Sequence, residues 1–132
     1  MSDGYSSNDL GLRPARELLS MLSSREVSSV ELLEHFVERN SRLHDQLNAI
    51  VTLDLDRAFE TAKSVDDRRA GNLGMGLLEG LPMTIKDAIA VEGVRSTGGA
   101  VELRDHVPSR DAEVVSALKS QGAIIFGKTN LP

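Results

Sequence analysis

The sequence predicts an α/β fold: amino-terminal helices followed by the start of a mixed, mostly parallel sheet covered by helices. Three observations predict it. Apolar residues recur at helical spacing in several segments before Gly71. A short apolar stretch, Leu81 to Ala90, follows a glycine-marked loop and is interrupted by Lys86-Asp87. A further helical pattern ends at Gly122 and leads into the wholly apolar run Ala123-Ile124-Ile125-Phe126, of the kind found in parallel strands covered on both faces. Helix, glycine stop and buried strand make the second half of a βαβ unit.

Taken in order, Met1 to Asp9 is rich in Ser, Asp, Asn and Gly and reads as a disordered leader. Pro14 fits the first turn of a helix, where its missing N–H costs nothing, and Leu18, Leu19 and Leu22 follow at helical spacing. Ser28-Ser29-Val30-Glu31 matches a capping box, with Ser28 as cap and Glu31 three residues on. It opens a helix from about Ser29 to about Leu43. Asn48 to Leu53 is short and β-rich, hence a strand. Asp54 or Asp56 caps the next helix, whose apolar face is Leu55, Ala58, Phe59, Ala62 and Val65, with Arg68 and Arg69 in the last turn. Gly71, Gly74, Gly76 and Gly80 mark a flexible loop. Leu81 to Ala90 reads as a buried strand and turn, and Glu92 to Gly99 as a loop. Asp111 is a good cap for a helix carrying Val114, Val115 and Leu118, and Gly122 suits a left-handed stop after it. In residues 1–132 in isolation the run from Ala123 to Phe126 would be left on an incomplete sheet, with an unpaired edge and an uncovered face, which predicts poor solubility.

At 132 residues the chain suits one domain of ordinary size, long enough to bury a core. With three Phe, one Tyr and no Trp, that core is aliphatic. The formal net charge of −5, with both signs mixed along the chain, argues against a nucleic-acid surface. There is no Cys, so disulfides, thiol nucleophiles and thiolate metal sites are excluded. No apolar run approaches the roughly 18 residues of a membrane span, and Met1 to Leu10 lack the features of a signal peptide. A soluble cytoplasmic protein is the expectation. His35, His44 and His106 have no metal-like spacing and read as surface or satisfied histidines.

The run that carries chemistry is Gly80-Leu81-Pro82-Met83-Thr84-Ile85-Lys86-Asp87. On a buried strand, Lys86 would face a desolvated environment, which disfavours the ammonium and lowers a lysine pKa. A neutral amine can take a proton from a hydroxyl, which is what activating a serine without histidine requires. The alternative left open by these residues is a lysine that curls out to solvent and pairs loosely with Asp87.

Three ordered blocks resemble the opening of the amidase-signature family. The first is Gly80 to Asp87 with Gly93. The second is Thr97-Gly98-Gly99 followed by Val107 to Ala112 and Val114-Val115. The third is Gly122 to Pro132, Gly-Ala-Ile-Ile-Phe-Gly-Lys-Thr-Asn-Leu-Pro. Ser29 to Leu32 and Leu47-Asn48-Ala49 are similar to that family's lead-in. The resemblance implies an amidase-type hydrolase of carboxamide bonds working through a Ser–cis-Ser–Lys triad. Lys86 matches the triad lysine, whose implied role is to deprotonate the bridging serine, which then activates the nucleophilic one. It implies a small-molecule amide substrate and no metal or organic cofactor.

Two departures stand out. No Gly-Ser-Ser-Gly-Gly run occurs, and the pairs Ser6-Ser7, Ser23-Ser24 and Ser28-Ser29 read as capping or solvated residues. Ala100 stands where the family often has serine. Residues 10–132 are therefore expected to be the amino-terminal part of an amidase-signature domain, supplying the lysine alone and inactive by itself. The alternatives are a catalytically inactive truncated homologue, or an aminoacyl-tRNA amidotransferase A-type subunit, which would bring nucleic acid and partner chains. Oligomeric state is not legible. Asp87 is expected to orient Lys86 or its loop by accepting backbone N–H bonds. Lys128 supports the site or pairs with the helix before it. Thr97, Gly98 and Gly99 line a pocket or form a plain turn.

Overall fold

The computed structural model describes residues 9–73 and 76–132. Eight of the nine leader residues, and Gly74 of the glycine loop, lie outside them. The ninth, Asp9, corrects the leader boundary: it caps a 3-10 turn at Leu10–Leu12 and accepts from Arg39 at 2.9 Å, with the His35 Nε2 also 2.9 Å away. Four α-helices and three strands follow: α1 (Ala15–Ser23), α2 (Ser29–Leu47), β1 (Ile50–Leu53), α3 (Leu55–Ala70), β2 (Pro82–Lys86), α4 (Glu113–Ser120) and β3 (Ile124–Thr129).

The α2 start is built as its sequence demands. Glu31 N–H donates to the Ser28 hydroxyl, and the Glu31 carboxylate accepts from Ser28 N–H. Asp66 of α3 then accepts from Ser29 and Val30 N–H, so a neighbouring helix satisfies two more of the donors that a helix start leaves open. Ser29 is fully buried, not solvated as its place in a serine pair suggested. The helix runs four residues past the expected Leu43, to Leu47, and stops at Asn48, which takes the left-handed conformation at φ 44°. Asn48 tolerates that conformation better than most residues, which explains why the strand starts two residues later than its β-rich run indicates.

Two expected caps are used differently. Pro14 sits just outside α1 at the cap position. Asp54 precedes α3 without capping it, because its carboxylate holds Arg57 at 2.7 Å. Ala112, not Asp111, precedes α4; Asp111 instead accepts from Glu92 N–H and from Lys119 Nζ, the latter at 2.9 Å. On α4 the spacing placed Val114 inward, yet it is exposed, and Val115 is the buried contact.

The sheet order is β1-β3-β2. β3 pairs antiparallel with β1 and parallel with β2, so α4 lies within the crossover of a βαβ unit and the sheet is mixed. The expectation of an uncovered β3 is overturned: it is the central strand, hydrogen-bonded on both sides. Its side chains alternate between faces, as strand geometry requires. Ile124 and Phe126 pack with Leu33 of α2 and Ala58 and Ala62 of α3. Ile125 packs with Ile85, Val91, Val94 and Val115. A third cluster joins α1 and α2 through Leu18, Leu22 and Leu32 to Leu81. The free edges of the sheet are those of β1 and β2.

Gly122 ends α4 at φ 90°, as its position suggested. A Cβ there would overlap the Glu79 carboxylate, which Arg68 and the Gly76 N–H hold in place. Gly122→Ala is therefore expected to destabilise the fold by more than the roughly 1–3 kcal/mol of the backbone conformation alone. The midpoint of urea unfolding should fall accordingly; a midpoint within error of wild type would contradict this.

Candidate active site

Lys86 closes β2, with its Cα opposite Thr129 at the end of β3. It thus stands at the carboxyl ends of two parallel strands, the region where open α/β sheets bind ligands. Its side chain is exposed. The expectation of a lysine shut away from water is not met within this chain. The loose pairing of Lys86 with Asp87 is absent too. Asp87 is turned inward and 4% exposed.

The buried lysine is Lys128, at 0% exposure. A register slip explains why a residue on a central strand can end there. Met83 and Thr84 of β2 face Ile125 and Gly127, skipping Phe126, so that Lys128 falls opposite Ile85. Its ammonium lies 3.4 Å from Asp87 Oδ1 and donates to the Ser96 hydroxyl at 2.5 Å. Ser96 in turn donates to the Val94 carbonyl. The other Asp87 oxygen accepts from the Thr97 hydroxyl and from Thr97 N–H, the latter at 3.1 Å. Backbone bonds bind the same residues: Asp87 N–H donates to the Thr129 carbonyl, and Gly98 N–H to the Asp87 carbonyl. Gly98 and Gly99 both take left-handed conformations, and Gly99 N–H donates to the Thr97 hydroxyl. Thr97 to Gly99 is thus a tight turn docked against the Asp87 segment, and the expectation that Asp87 accepts backbone N–H bonds from its loop holds. Lys128 does not pair with α4; Lys119 makes that kind of contact, with Asp111.

Electrostatics follow from this packing. Burial alone would push the Asp87 carboxyl up, but the Thr97 hydroxyl and N–H and then the Lys128 charge outweigh it and hold it below the usual carboxylate value. Burial pulls Lys128 below the usual lysine value, against the opposing pull of Asp87. Glu79 and Asp111 are likewise penalised by burial yet held low, Glu79 chiefly by its bond from Arg68 and Asp111 by Glu92 N–H. A carboxyl depressed in the folded state contributes stability that is present above its unfolded value and lost as pH falls through the folded one. Thermal stability should therefore hold above about pH 5 and decline below about pH 4. Melting temperatures across that range test it, and a curve flat down to about pH 2 would contradict it.

The sequence singled out Lys86, Asp87 and the Thr97–Gly99 turn as candidates, and left Lys128 undecided. Ser96 was missed. The usable signal was that Lys128 continues a strand already buried from Ile124 to Gly127, next to a parallel strand with an acid directly after it. His44 lies with Phe36, Leu43, Leu47 and Met83 along an apolar groove that includes neither Lys86 nor the Asp87–Lys128 pair. Among the described residues no His, Asp and Glu cluster could hold a metal ion, and no helix is long and apolar enough to cross a membrane.

Comparison with known proteins agrees with this geometry. The family model described as Amidase matches residues 31–132. The A-type subunit of the glutamyl-tRNA(Gln) amidotransferase of Heliobacterium modesticaldum is 42% identical over 119 residues, which cover 90% of this chain and 24% of that protein. A bacterial aryl acylamidase of the amidase-signature family superposes with a TM-score of 0.84 at 26% identity, over 91% of this chain and 25% of its own. The peptide amidase of Stenotrophomonas maltophilia does so with a TM-score of 0.83 at 28% identity, over 96% and 25%. The chain thus spans about a quarter of the length of the relatives it matches. The α/β architecture, the three sequence blocks and these matches agree: the chain belongs to the amidase family, the amidase-signature enzymes.

Proposed function

We propose that this chain is the lysine-bearing quarter of an enzyme that cleaves carboxamides, with Lys86 as the base of a Ser–cis-Ser–Lys triad whose serines lie outside residues 1–132. The observation that carries the reading is the presentation of Lys86: a free, exposed amine on a backbone that is tied down on both sides, at the carboxyl ends of parallel strands. In the proposed reaction the neutral amine takes a proton from the bridging serine, which takes one from the nucleophilic serine. Attack on the amide carbonyl gives an oxyanion held by backbone N–H groups; the proton held by Lys86 returns through the bridging serine to the leaving nitrogen, which departs as ammonia or an amine, and water deprotonated by the same relay releases the acyl group and restores the serine. The desolvation that keeps a lysine neutral must then come from polypeptide packed over the end of β2. We place the protein in the cytoplasm, in keeping with its lack of cysteine.

A second reading, an aminoacyl-tRNA amidotransferase A-type subunit, is favoured by the 42% identity to one such subunit. It predicts ammonia transfer to an aminoacyl-tRNA in the presence of partner chains. The first reading predicts hydrolysis of simple amides without them.

The test is a chimera in which residues 1–132 replace the matching quarter of the bacterial aryl acylamidase. It should hydrolyse a chromogenic anilide, while residues 1–132 alone should not, since a base with no nucleophile to activate forms no acyl intermediate. A folded chimera without activity, or an isolated chain with it, would overturn the proposal.

A further inference from the structure

The Lys86 amine has nothing of its own to aim it. It is exposed, and none of the ion pairs among the described residues includes it. Its direction is therefore set by its backbone. That backbone lies between two anchored neighbours, Ile85 in the core and Asp87 in the buried polar network. The Lys86 carbonyl accepts from Ile89 N–H, closing a turn around Asp87. Asp87 is thus the pivot of the segment, and Lys128 is the charge that fixes it.

Stability alone is a weak reason to keep such a pair. Taking two charges out of water carries a desolvation penalty that can exceed their attraction, and well-packed apolar residues often serve as well or better. What a buried pair supplies that apolar residues do not is direction: one carboxylate oxygen is aimed at Lys128, the other at Thr97. Ser96 holds the ammonium from the other side. The consequence is a link from the end of β3, through Asp87, to the Thr97–Gly99 turn, with Lys86 carried on its outer surface.

Building on the proposed function, we infer that Lys128 is a positioning residue for Lys86, acting through Asp87 and Thr97 to hold the turn that presents the catalytic amine. The role needs no contact between the two lysines. It requires only that the turn loosen when the link is cut.

Two variants test this, Thr97→Val and Lys128→Met. Thr97→Val keeps the shape of a half-buried side chain and removes one bond to Asp87, so it keeps the test alive should Lys128→Met fail to fold. In residues 1–132, both variants should speed amide exchange at Thr97 and Gly98 at least about tenfold, and lower the NMR order parameter of Lys86, while α2 and α3 amides keep their wild-type rates. In the chimera, kcat should fall at least about tenfold at unchanged KM, the signature of a group that acts only as the reaction proceeds. Unchanged Lys86 order in Thr97→Val overturns the inference, as does acceleration spread evenly over the molecule. A loosened turn with an unchanged kcat overturns it too, since the network would then be structural only. An inert parent chimera strikes the functional reading instead, and the exchange and order measurements on residues 1–132 still decide whether Lys128 holds the turn.

Discussion

Lys86→Ala in the acylamidase chimera is expected to reduce anilide hydrolysis by roughly 10²–10⁴-fold, the range that a positioned general base contributes. The loss should fall on kcat and kcat/KM alike, since a proton acceptor works during the reaction and not in binding the substrate. In residues 1–132, where the Lys86 side chain is exposed, the same substitution should come with almost no change in stability. The side chain is exposed, so truncating it opens no cavity and strands no polar partner, and such surface changes usually stay within about 0.5 kcal/mol. That separation gives the test its force. Equal melting temperatures with a collapsed rate place Lys86 in the chemistry. An unchanged rate would remove Lys86 from the mechanism and, with it, the proposed triad.

The sequence carried the α2 start in full, because a capping box is a local device: Ser28 and Glu31 satisfy each other's backbone across one helical turn, whatever packs on them later. Gly122 was legible for a similar reason, since a left-handed stop needs a residue without a Cβ. The apolar run ending at Phe126 announced a strand covered on both faces, and it is one. What could not be read locally were the polar side chains with distant partners. Asp111 looks like a helix cap until Lys119 and the Glu92 N–H claim it. Asp54 looks like one until Arg57 does. Asp9 looks like leader until His35 and Arg39, some thirty residues on, hold it. In each case the acid does satisfy a nearby donor, as its type suggests, but tertiary contact chooses which.

The site shows the same limit in sharper form. Burial of one lysine near Asp87 was a sound expectation, and the fold buries Lys128 in place of Lys86. Both lie at the end of an apolar strand followed by polar residues, so local pattern does not separate them. The register slip that leaves Phe126 unmatched on β2 decides the outcome, by setting Lys128 opposite Ile85 on the covered side. The one local sign of such a bulge is Gly127 inside the strand, which marks a place where a ladder can slip but not which side chain the slip buries.

Asp87→Ala is expected to destabilise the chain by about 3–5 kcal/mol, the usual cost of leaving a buried charge without its partner. Lys128 is fully buried, and Asp87 is the only carboxylate paired with it among the described residues. Against the roughly 5–15 kcal/mol that holds a typical domain together, the loss is enough to lower a melting temperature by many degrees. Removing both charges should cost less than removing one. In Asp87→Asn/Lys128→Met the amide still accepts from Thr97, and the methionine fills the lysine's space with no charge to desolvate. Its unfolding free energy should lie well above that of Asp87→Ala, with the gap measuring the stranded ammonium. If the double variant were as unstable as Asp87→Ala, the cost would lie in lost packing around β3 and not in an unpaired charge, and the ion pair would no longer explain why this lysine is tolerated at the centre of the sheet.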